Sequence, residues 1–370
     1  MEAALYDPES GYYARAAQRS GRAGDFFTSV DVGPLFGELL ERQIAEMADI
    51  LRSTTSAEHA PRTSPDGRAP QATVDVVEAG AGNGRLAADV LRAARSRDPD
   101  WYDRIRLHLV EASPAARAAQ GGVLGELGDR LASSSANLPH SFEGILFANE
   151  LLDALPVHQV VMRAQGLREV YVDANRMLRE GPPSTPALAD YLACLGIALE
   201  PGWRVEINLR AVEWVRDAAR RLRRGFLILI DYGHEARELY SSAHAGGTLT
   251  SFTRHTAGGA DARTDRPVWL ERPGEQDLTS HVDFTSVRLA AEEEGLSTIG
   301  FLDQTYFILG LLTQGGVMSA IEERAGSSDL RRLKTLLMPG GLGSSHKVLI
   351  LGKDVGTPSL NACSFRQRVT

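Results

Sequence analysis

The chain has 370 residues, 43% of them hydrophobic and 24% charged, with a formal net charge of −8. That composition is ordinary for a folded globular protein with a sizeable core and, on length, two to three domains. The acidic balance excludes general phosphate-backbone binding, which needs a basic face, so no nucleic-acid partner is expected. No run of about 18 apolar residues occurs, so no membrane span is expected. The N-terminus, MEAALYDPESGYY, lacks the basic and apolar regions of a secretory signal. Two cysteines, Cys194 and Cys363, stand in no ligand spacing and imply no disulfide framework, which suits a reducing compartment.

In chain order, Tyr6–Asp25 is rich in Gly, Tyr, Pro and Asp and reads as irregular. Tyr12 and Tyr13 fit packing or substrate contact equally, and spacing leaves the polar–aromatic loop Gly24–Ser29 unassigned. Apolar residues at Leu35, Leu39, Ile44, Met47 and Ile50 or Leu51 predict a helix. Residues 53–72 are polar and Pro/Ser-rich and read as a mobile insertion. Strands are predicted at Val74–Val77, Leu107–Val110, Gly144–Ala148, Phe226–Ile230 and Lys347–Leu351. The first, second and fourth are near-continuous apolar runs, as strands covered on both faces should be. Helical patterns between several of them predict a doubly wound α/β sheet. Ala187–Leu199 is a helix candidate within an insertion at about 182–202. Gly258–Asp265 reads as a flexible loop, and the tail after Gly352 carries no core pattern.

The richest stretch is Val74–Leu86, VDVVEAGAGNGRL, an apolar strand running into Gly80, Gly82 and Gly84 and then a helix from Arg85 to about Ala94. Glycine lets such a turn close tightly and approach a ligand, and the first amides of the helix point at it. A second strand ends at Glu111, whose carboxylate could accept from two ribose hydroxyls, so a nucleoside-bearing cofactor is expected at the carboxyl edge of the sheet. Dinucleotide binders usually show G-x-G-x-x-G with an acid about 20 residues on. Here the spacing is G-x-G-x-G and Glu111 lies 27 residues beyond Gly84, which favours S-adenosylmethionine over NAD. A purely structural glycine turn is the alternative.

Two further polar clusters follow strands. Phe147–Pro156 (FANELLDALP) places Asn149, Glu150 and Asp153 after the third strand. Carboxylates there could hold a guanidinium by bidentate bonds. Alternatively Asn149 caps a helix, with acids favoured in its first turn. The fourth strand ends in Asp231-Tyr232-Gly233-His234, a ligand-facing cluster or a simple turn. Gly274–Phe284 (GEQDLTSHVDF) holds Asp277, His281 and Asp283 at metal-like spacing. No second His or Cys cluster supports an ion, so no metal is expected. Thr279 or Ser280 as a helix cap accounts for the stretch equally well, and Asp277 and His281 remain candidate substrate contacts.

These segments resemble a known family in sequence and in order: ALYDPESGYY (Ala4–Tyr13), GDFFTSVDVGPLFGELL (Gly24–Leu40), VVEAGAGNGRLAADVL (Val76–Leu91), LVEASP (Leu109–Pro114), FANELLDALPVHQ (Phe147–Gln159), LIDYG (Leu229–Gly233), GEQDLTSHVDF (Gly274–Phe284) and HKVLIL (His346–Leu351). The chain resembles the MidA-like S-adenosylmethionine-dependent methyltransferases, which include the mitochondrial arginine methyltransferase that assists respiratory complex I assembly. The resemblance covers about residues 4–352. It implies a class I methyltransferase (Rossmann-like) fold with additional helical insertions: an N-terminal lid over residues 1–51, a core over 73–352, and flexible segments at 53–72 and 353–370. It implies S-adenosylmethionine as cofactor, held by Gly80, Gly82, Gly84 and Glu111; Glu78, at the end of the first strand, is a further cofactor-binding candidate. It puts the methyl acceptor at Asn149 and Glu150; from the residues themselves, Asp153 is expected in support and Asp231, Asp277 and His281 as substrate contacts. It implies a protein arginine as acceptor, in eukaryotic relatives within a complex I subunit in the mitochondrion; for this chain a cytoplasmic, bacterial setting is expected. Relatives carry a segment upstream of ALYDP, and its loss would leave the cofactor lid incomplete. A cofactor-binding assembly factor that acts without catalysis is the rival expectation.

Overall fold

A computed structural model describes residues 1–14, 28–56, 72–253, 256–258, 267–314, 317–318, 327–338 and 342–365. Gly24–Phe27, most of the expected 53–72 insertion and the expected loop beyond Gly258 lie outside the described residues. The chain divides into two compact units. One, here the sheet unit, comprises 28–149, 218–230 and 291–370. The other, the insert unit, comprises 1–27, 150–217 and 231–290. This division differs from the expected lid-plus-core order, because the chain passes between the units several times.

The strands in chain order are β1 (Val74–Ala79), β2 (Ile105–Val110), β3 (Leu131–Ser135), β4 (Phe142–Asn149), β5 (His158–Arg163), β6 (Gly166–Val172), β7 (Leu178–Gly181), β8 (Arg204–Ile207), β9 (Leu222–His234), β10 (Thr250–Thr253), β11 (Thr256–Gly258), β12 (Asp277–Thr279), β13 (Val282–Asp283), β14 (Ser297–Asp303) and β15 (His346–Lys353). The five strands expected from apolar runs are β1, β2, β4, β9 and β15.

In the sheet unit the order is β14-β15-β9-β4-β1-β2-β3. β3, β2, β1, β4 and β9 run parallel to one another, and β14 pairs antiparallel with β15. The order reverses on either side of β1, and ligands of open α/β sheets bind at such a switch point. Ile145–Ala148 and Phe226–Ile230 are buried throughout, which explains their unbroken apolar character. Helix Leu35–Ser56 covers one face with Phe36, Leu40, Ile44, Met47 and Leu51, all buried. Helix Arg85–Arg97 buries Leu86, Val90, Leu91 and Ala94 at helical spacing. The tail after Gly352 does contribute to this core, through Val355, Leu360 and Ala362.

Two glycines set how closely the strands run. Gly144 on β4 pairs with Asp75 on one side and Gly225 on the other. A Cβ on Gly144 would lie 1.9 Å from the Asp75 carbonyl oxygen, and one on Gly225 1.8 Å from the Gly144 carbonyl oxygen. Their φ angles of +155° and +139° add to the need for glycine.

The insert unit holds two small antiparallel sheets and several short helices. β5, β6, β7 and β8 form an antiparallel sheet in the order β7-β6-β5-β8. The expected helical insertion is one short helix, Ala187–Cys194, whose Leu188, Tyr191 and Leu192 pack with Val160, Val205, Ile207 and Tyr240. β10, β11 and β12 form a second antiparallel sheet. The last residues of β9, Asp231–His234, belong to this unit, where Gly233 and His234 pair in parallel with β13.

Candidate functional site

The cofactor candidates sit in the sheet unit. Gly80, Gly82 and Gly84 all have left-handed φ, at +70°, +51° and +82°. A side chain on an L-residue crowds its own carbonyl in this region, so the turn after β1 is built for glycine. A Cβ on Gly82 would meet nothing within 4 Å, whereas one on Gly84 would press Leu109 Cδ1 at 3.3 Å. Gly84 is therefore a packing and helix-start residue, whereas Gly82 has open space where a Cβ would stand.

Glu111 reaches back to this loop. Its Oε2 accepts from the Gly82 amide at 2.8 Å and its Oε1 from the Ser113 amide at 2.7 Å. Each oxygen keeps a second lone pair, enough to accept two ribose hydroxyls. The Gln120 side-chain amide donates to the Gly82 carbonyl at 2.8 Å, and the Ser134 hydroxyl donates to Gln120 Oε1 at 2.6 Å. Gln120 was not singled out in the sequence, because it lies mid-helix in an unremarkable alanine-rich run. The open space at Gly82 beside an acid with spare acceptor capacity fits an adenosine-bearing cofactor.

Glu78 has a different setting. It is buried, and its Oε2 accepts from the Ala87 amide at 3.0 Å in the first turn of helix Arg85–Arg97. Burial pushes its carboxyl well above the usual range, and the Glu111 and Asp89 charges add to this. Its observed partner is thus the helix start. Arg85, at that start, pairs with Asp31, which also accepts from the Thr28 amide at 2.9 Å. Asp31 belongs to the GDFFTSVD segment, so that motif's described end secures the glycine-loop helix.

The acceptor candidates follow β4. Asn149 ends that strand in register with Ile230. Glu150 is one of three non-glycine residues with positive φ among the described residues, at +52°. Left-handed backbone at such a residue is strained and often accompanies function. No helix begins here, so the Asn149 capping alternative does not hold. Instead the buried Asp231 carboxylate gathers the loop: Oδ2 accepts from the amides of Leu151, Leu152 and Asp153 at 3.2, 2.9 and 3.4 Å. Its Oδ1 accepts from the Tyr232 amide at 2.9 Å. Burial raises the Asp231 carboxyl well above its ordinary range, and the charges of Asp153 and Glu150 raise it further. These three acids therefore form one cluster within the insert unit, with Asp231 as the residue that shapes the loop.

The other expected substrate contacts have chain partners. The Tyr13 hydroxyl donates to Asp277 Oδ1 at 2.8 Å, and the Leu278 amide donates to the same oxygen at 3.0 Å. The Tyr6 hydroxyl donates to the Ala154 carbonyl at 3.1 Å. The ALYDPESGYY motif thus ties itself to the NELLDALP and GEQDLTS motifs, and Asp277 acts as that anchor. Asp283 accepts from the Tyr191 hydroxyl at 2.7 Å and from the Thr285 and Ser286 amides, so it, rather than Thr279 or Ser280, caps helix Phe284–Glu293. His281 is drawn away from both acids, toward Tyr232, His234 and His244. Burial, then its two histidine neighbours, pushes its pKa down to about 4.

The sheet order, the antiparallel β14–β15 pair and the glycine turn beside an acid together define a class I S-adenosylmethionine-dependent methyltransferase. Residues 62–302 match the family model described as "Putative S-adenosyl-L-methionine-dependent methyltransferase", and the chain belongs to that family. It is similar to the crystal structure of a Burkholderia thailandensis protein bound to S-adenosyl-homocysteine, with 29% identity, a TM-score of 0.82, and coverage of 100% of this chain and 90% of that one. It is 28% identical to the zebrafish (Danio rerio) protein named "Protein arginine methyltransferase NDUFAF7, mitochondrial", over 89% of this chain and 75% of that protein. The human protein of that name is 27% identical over 83% of this chain and 68% of its own length. The cofactor is S-adenosylmethionine. Among the described residues no helix is long and apolar enough to cross a membrane.

Proposed function

We propose that the chain transfers a methyl group to an arginine side chain of a protein substrate. The observation that carries this reading is the pair of acids Glu150 and Asp153 on the loop that Asp231 shapes, which suits a planar cation and disfavours an anionic or apolar acceptor. The names of the curated relatives support the same acceptor.

S-adenosylmethionine supplies a sulfonium-bound methyl that is open to in-line attack. A guanidinium, with a pKa above about 12, is a poor nucleophile while protonated. Glu150 holds it by its N–H groups, keeps the positive charge on the far nitrogens, and accepts the proton released as the new N–C bond forms. Asp153 supports that geometry. Asp231 works through the loop it holds and is a positioning residue. Gly80, Gly82, Gly84 and Glu111 bind the cofactor. The acceptor to try first is an arginine-containing subunit of a respiratory complex, as the family resemblance implies. A cytoplasmic location suits the low cysteine content.

The test is transfer of labelled methyl from S-adenosylmethionine to arginine-containing peptides and to intact respiratory subunits, followed by residue-level mass mapping. Label on arginine supports the reading. Label confined to lysine, to carboxylates or to small molecules replaces it, and cofactor binding with no transfer to any acceptor favours an assembly factor.

A further inference from the structure

We propose that His234, His244 and His281 form a binding site for a zinc-class divalent cation, with three imidazole ligands and a fourth position open to water. The proposal is independent of the arginine reading and rests on a side-chain cluster of which the sequence singles out His281 alone as a substrate contact.

The three histidines come from separate segments of the insert unit. His234 ends β9, His244 ends the short 3-10 turn Ser242–His244, and His281 lies between β12 and β13. The sequence intervals hide the cluster, since nothing in them matches a compact ligand motif. In the fold, one ring nitrogen of each lies within 4.8 Å of the others. The ring centroids are 4.7, 5.2 and 5.8 Å apart. Tetrahedral zinc with Zn–N of about 2.05 Å needs N···N spacings of about 3.3 Å. Each nitrogen would have to move inward by less than about 1 Å, within reach of small side-chain rotations.

The surroundings resemble a shell that orients ligands. His234 Nδ1 lies 3.0 Å from Glu238 Oε1, and His244 Nδ1 lies 3.1 Å from the Glu238 carbonyl oxygen. One residue thus lies beside two of the three rings, bonding His244 and placing a carboxylate next to His234. On His244, an Nδ1–H donated to the Glu238 carbonyl leaves Nε2 as the lone-pair nitrogen, free to take a metal. Outer-shell carboxylates and carbonyls commonly fix metal-bound histidines in this manner.

His281 is held from its backbone, with its amide donating to Thr248 Oγ1 at 3.1 Å. Tyr232 packs edge-on to its ring at 5.5 Å. Its Nδ1 is buried and has no hydrogen-bond partner among the described residues. A buried imidazole nitrogen without a partner is costly, and a cation would satisfy it. The donor set chooses the ion. All three groups are imidazoles, which suit zinc and its first-row neighbours and not the oxygen-seeking calcium and magnesium. Asp277 and Asp283, which spacing groups with His281, bond to Tyr13 and Tyr191 instead.

Bound there, the ion would pin the His244 turn and the β12–β13 connection to the end of β9. It should therefore raise the thermal midpoint, because it binds the folded chain only.

The experiment uses the full chain without a histidine tag, stripped with a chelator and dialysed. Zn2+ is titrated by calorimetry and Co2+ by visible absorption. The expected result is one equivalent of tight binding and the intense visible bands of tetrahedral Co2+. His244→Ala, in a partly exposed turn, should weaken binding by about 100-fold or more, and Glu238→Gln by about 10-fold, as loss of an outer-shell partner does. Circular dichroism of each stripped variant checks the fold. No stoichiometric binding by the parent chain, or a parent Co2+ spectrum without tetrahedral bands, overturns the proposal whatever the variants do. Undiminished binding in folded His244→Ala places the ion elsewhere and overturns it as well.

Discussion

Glu111 Oε2 accepts the Gly82 amide at 2.8 Å, so the acid at the end of β2 braces the glycine turn at the end of β1. One carboxylate thereby shapes the cofactor loop and keeps lone pairs for the cofactor. Glu111→Ala removes both contributions. Hydrogen bonds to a charged group are worth about 1.5–3 kcal/mol each, so affinity for S-adenosylhomocysteine should fall about 100-fold or more. Calorimetric titration reads this directly, with NAD as the negative control. A change of less than about threefold would remove Glu111 from the cofactor site.

Gly82→Val probes the same loop from the other side. The residue has φ of +51° and open space where a Cβ would stand. Left-handed backbone costs a non-glycine residue about 1–2 kcal/mol, which the fold should survive. The new side chain fills the space left for the ligand, so S-adenosylhomocysteine binding should be lost while circular dichroism is unchanged. Retained binding would mean that the cofactor does not lie against Gly82.

Glu150→Gln separates binding from transfer. The amide keeps the size of the side chain and removes its charge and proton acceptor. Cofactor affinity should persist and single-turnover methyl transfer should drop about 100-fold or more. Unchanged transfer would sink the role given to Glu150.

Glu78→Gln is a stability prediction with a sign. Burial raises the folded carboxyl well above its ordinary range, so the folded state favours the protonated form. That contribution is complete below the unfolded pKa of about 4.3 and is lost as pH rises through the folded value. Glutamine keeps an oxygen for the Ala87 amide without the charge. The variant's melting midpoint should therefore exceed the parent's by roughly 2 °C or more at pH 8, with the gap narrowing toward pH 5. A gap that widens as pH falls contradicts the raised carboxyl.

The sheet and the cofactor loop were legible in the sequence because both are local. Apolar runs such as Phe226–Ile230 mark covered parallel strands, and glycines at alternate positions mark a turn that only glycine tolerates. The insert unit was not legible. β5 and β6 carry mixed burial, so their alternation is blurred, and the region reads as helical around Ala187 alone. Residue roles were hidden wherever they depend on distant segments. Asp231 reads as a ligand-facing acid until its carboxylate is found on three amides about 80 positions upstream. Asp277 reads the same way until Tyr13 is found 264 positions away. Histidines 234, 244 and 281 fit no ligand spacing and meet only after folding.

Gly144 and Gly225 bear on how this family would be surveyed by mutation. Each faces a neighbouring strand's carbonyl oxygen less than 2 Å from where a Cβ would be. Even alanine must push strands apart there, so a saturation scan scored on survival would flag both positions as strongly as Gly82. Neither touches the cofactor loop. Intolerance would mark the spacing between neighbouring strands in one case and a ligand in the other, and only a scan scored separately for abundance and for methyl transfer would tell them apart.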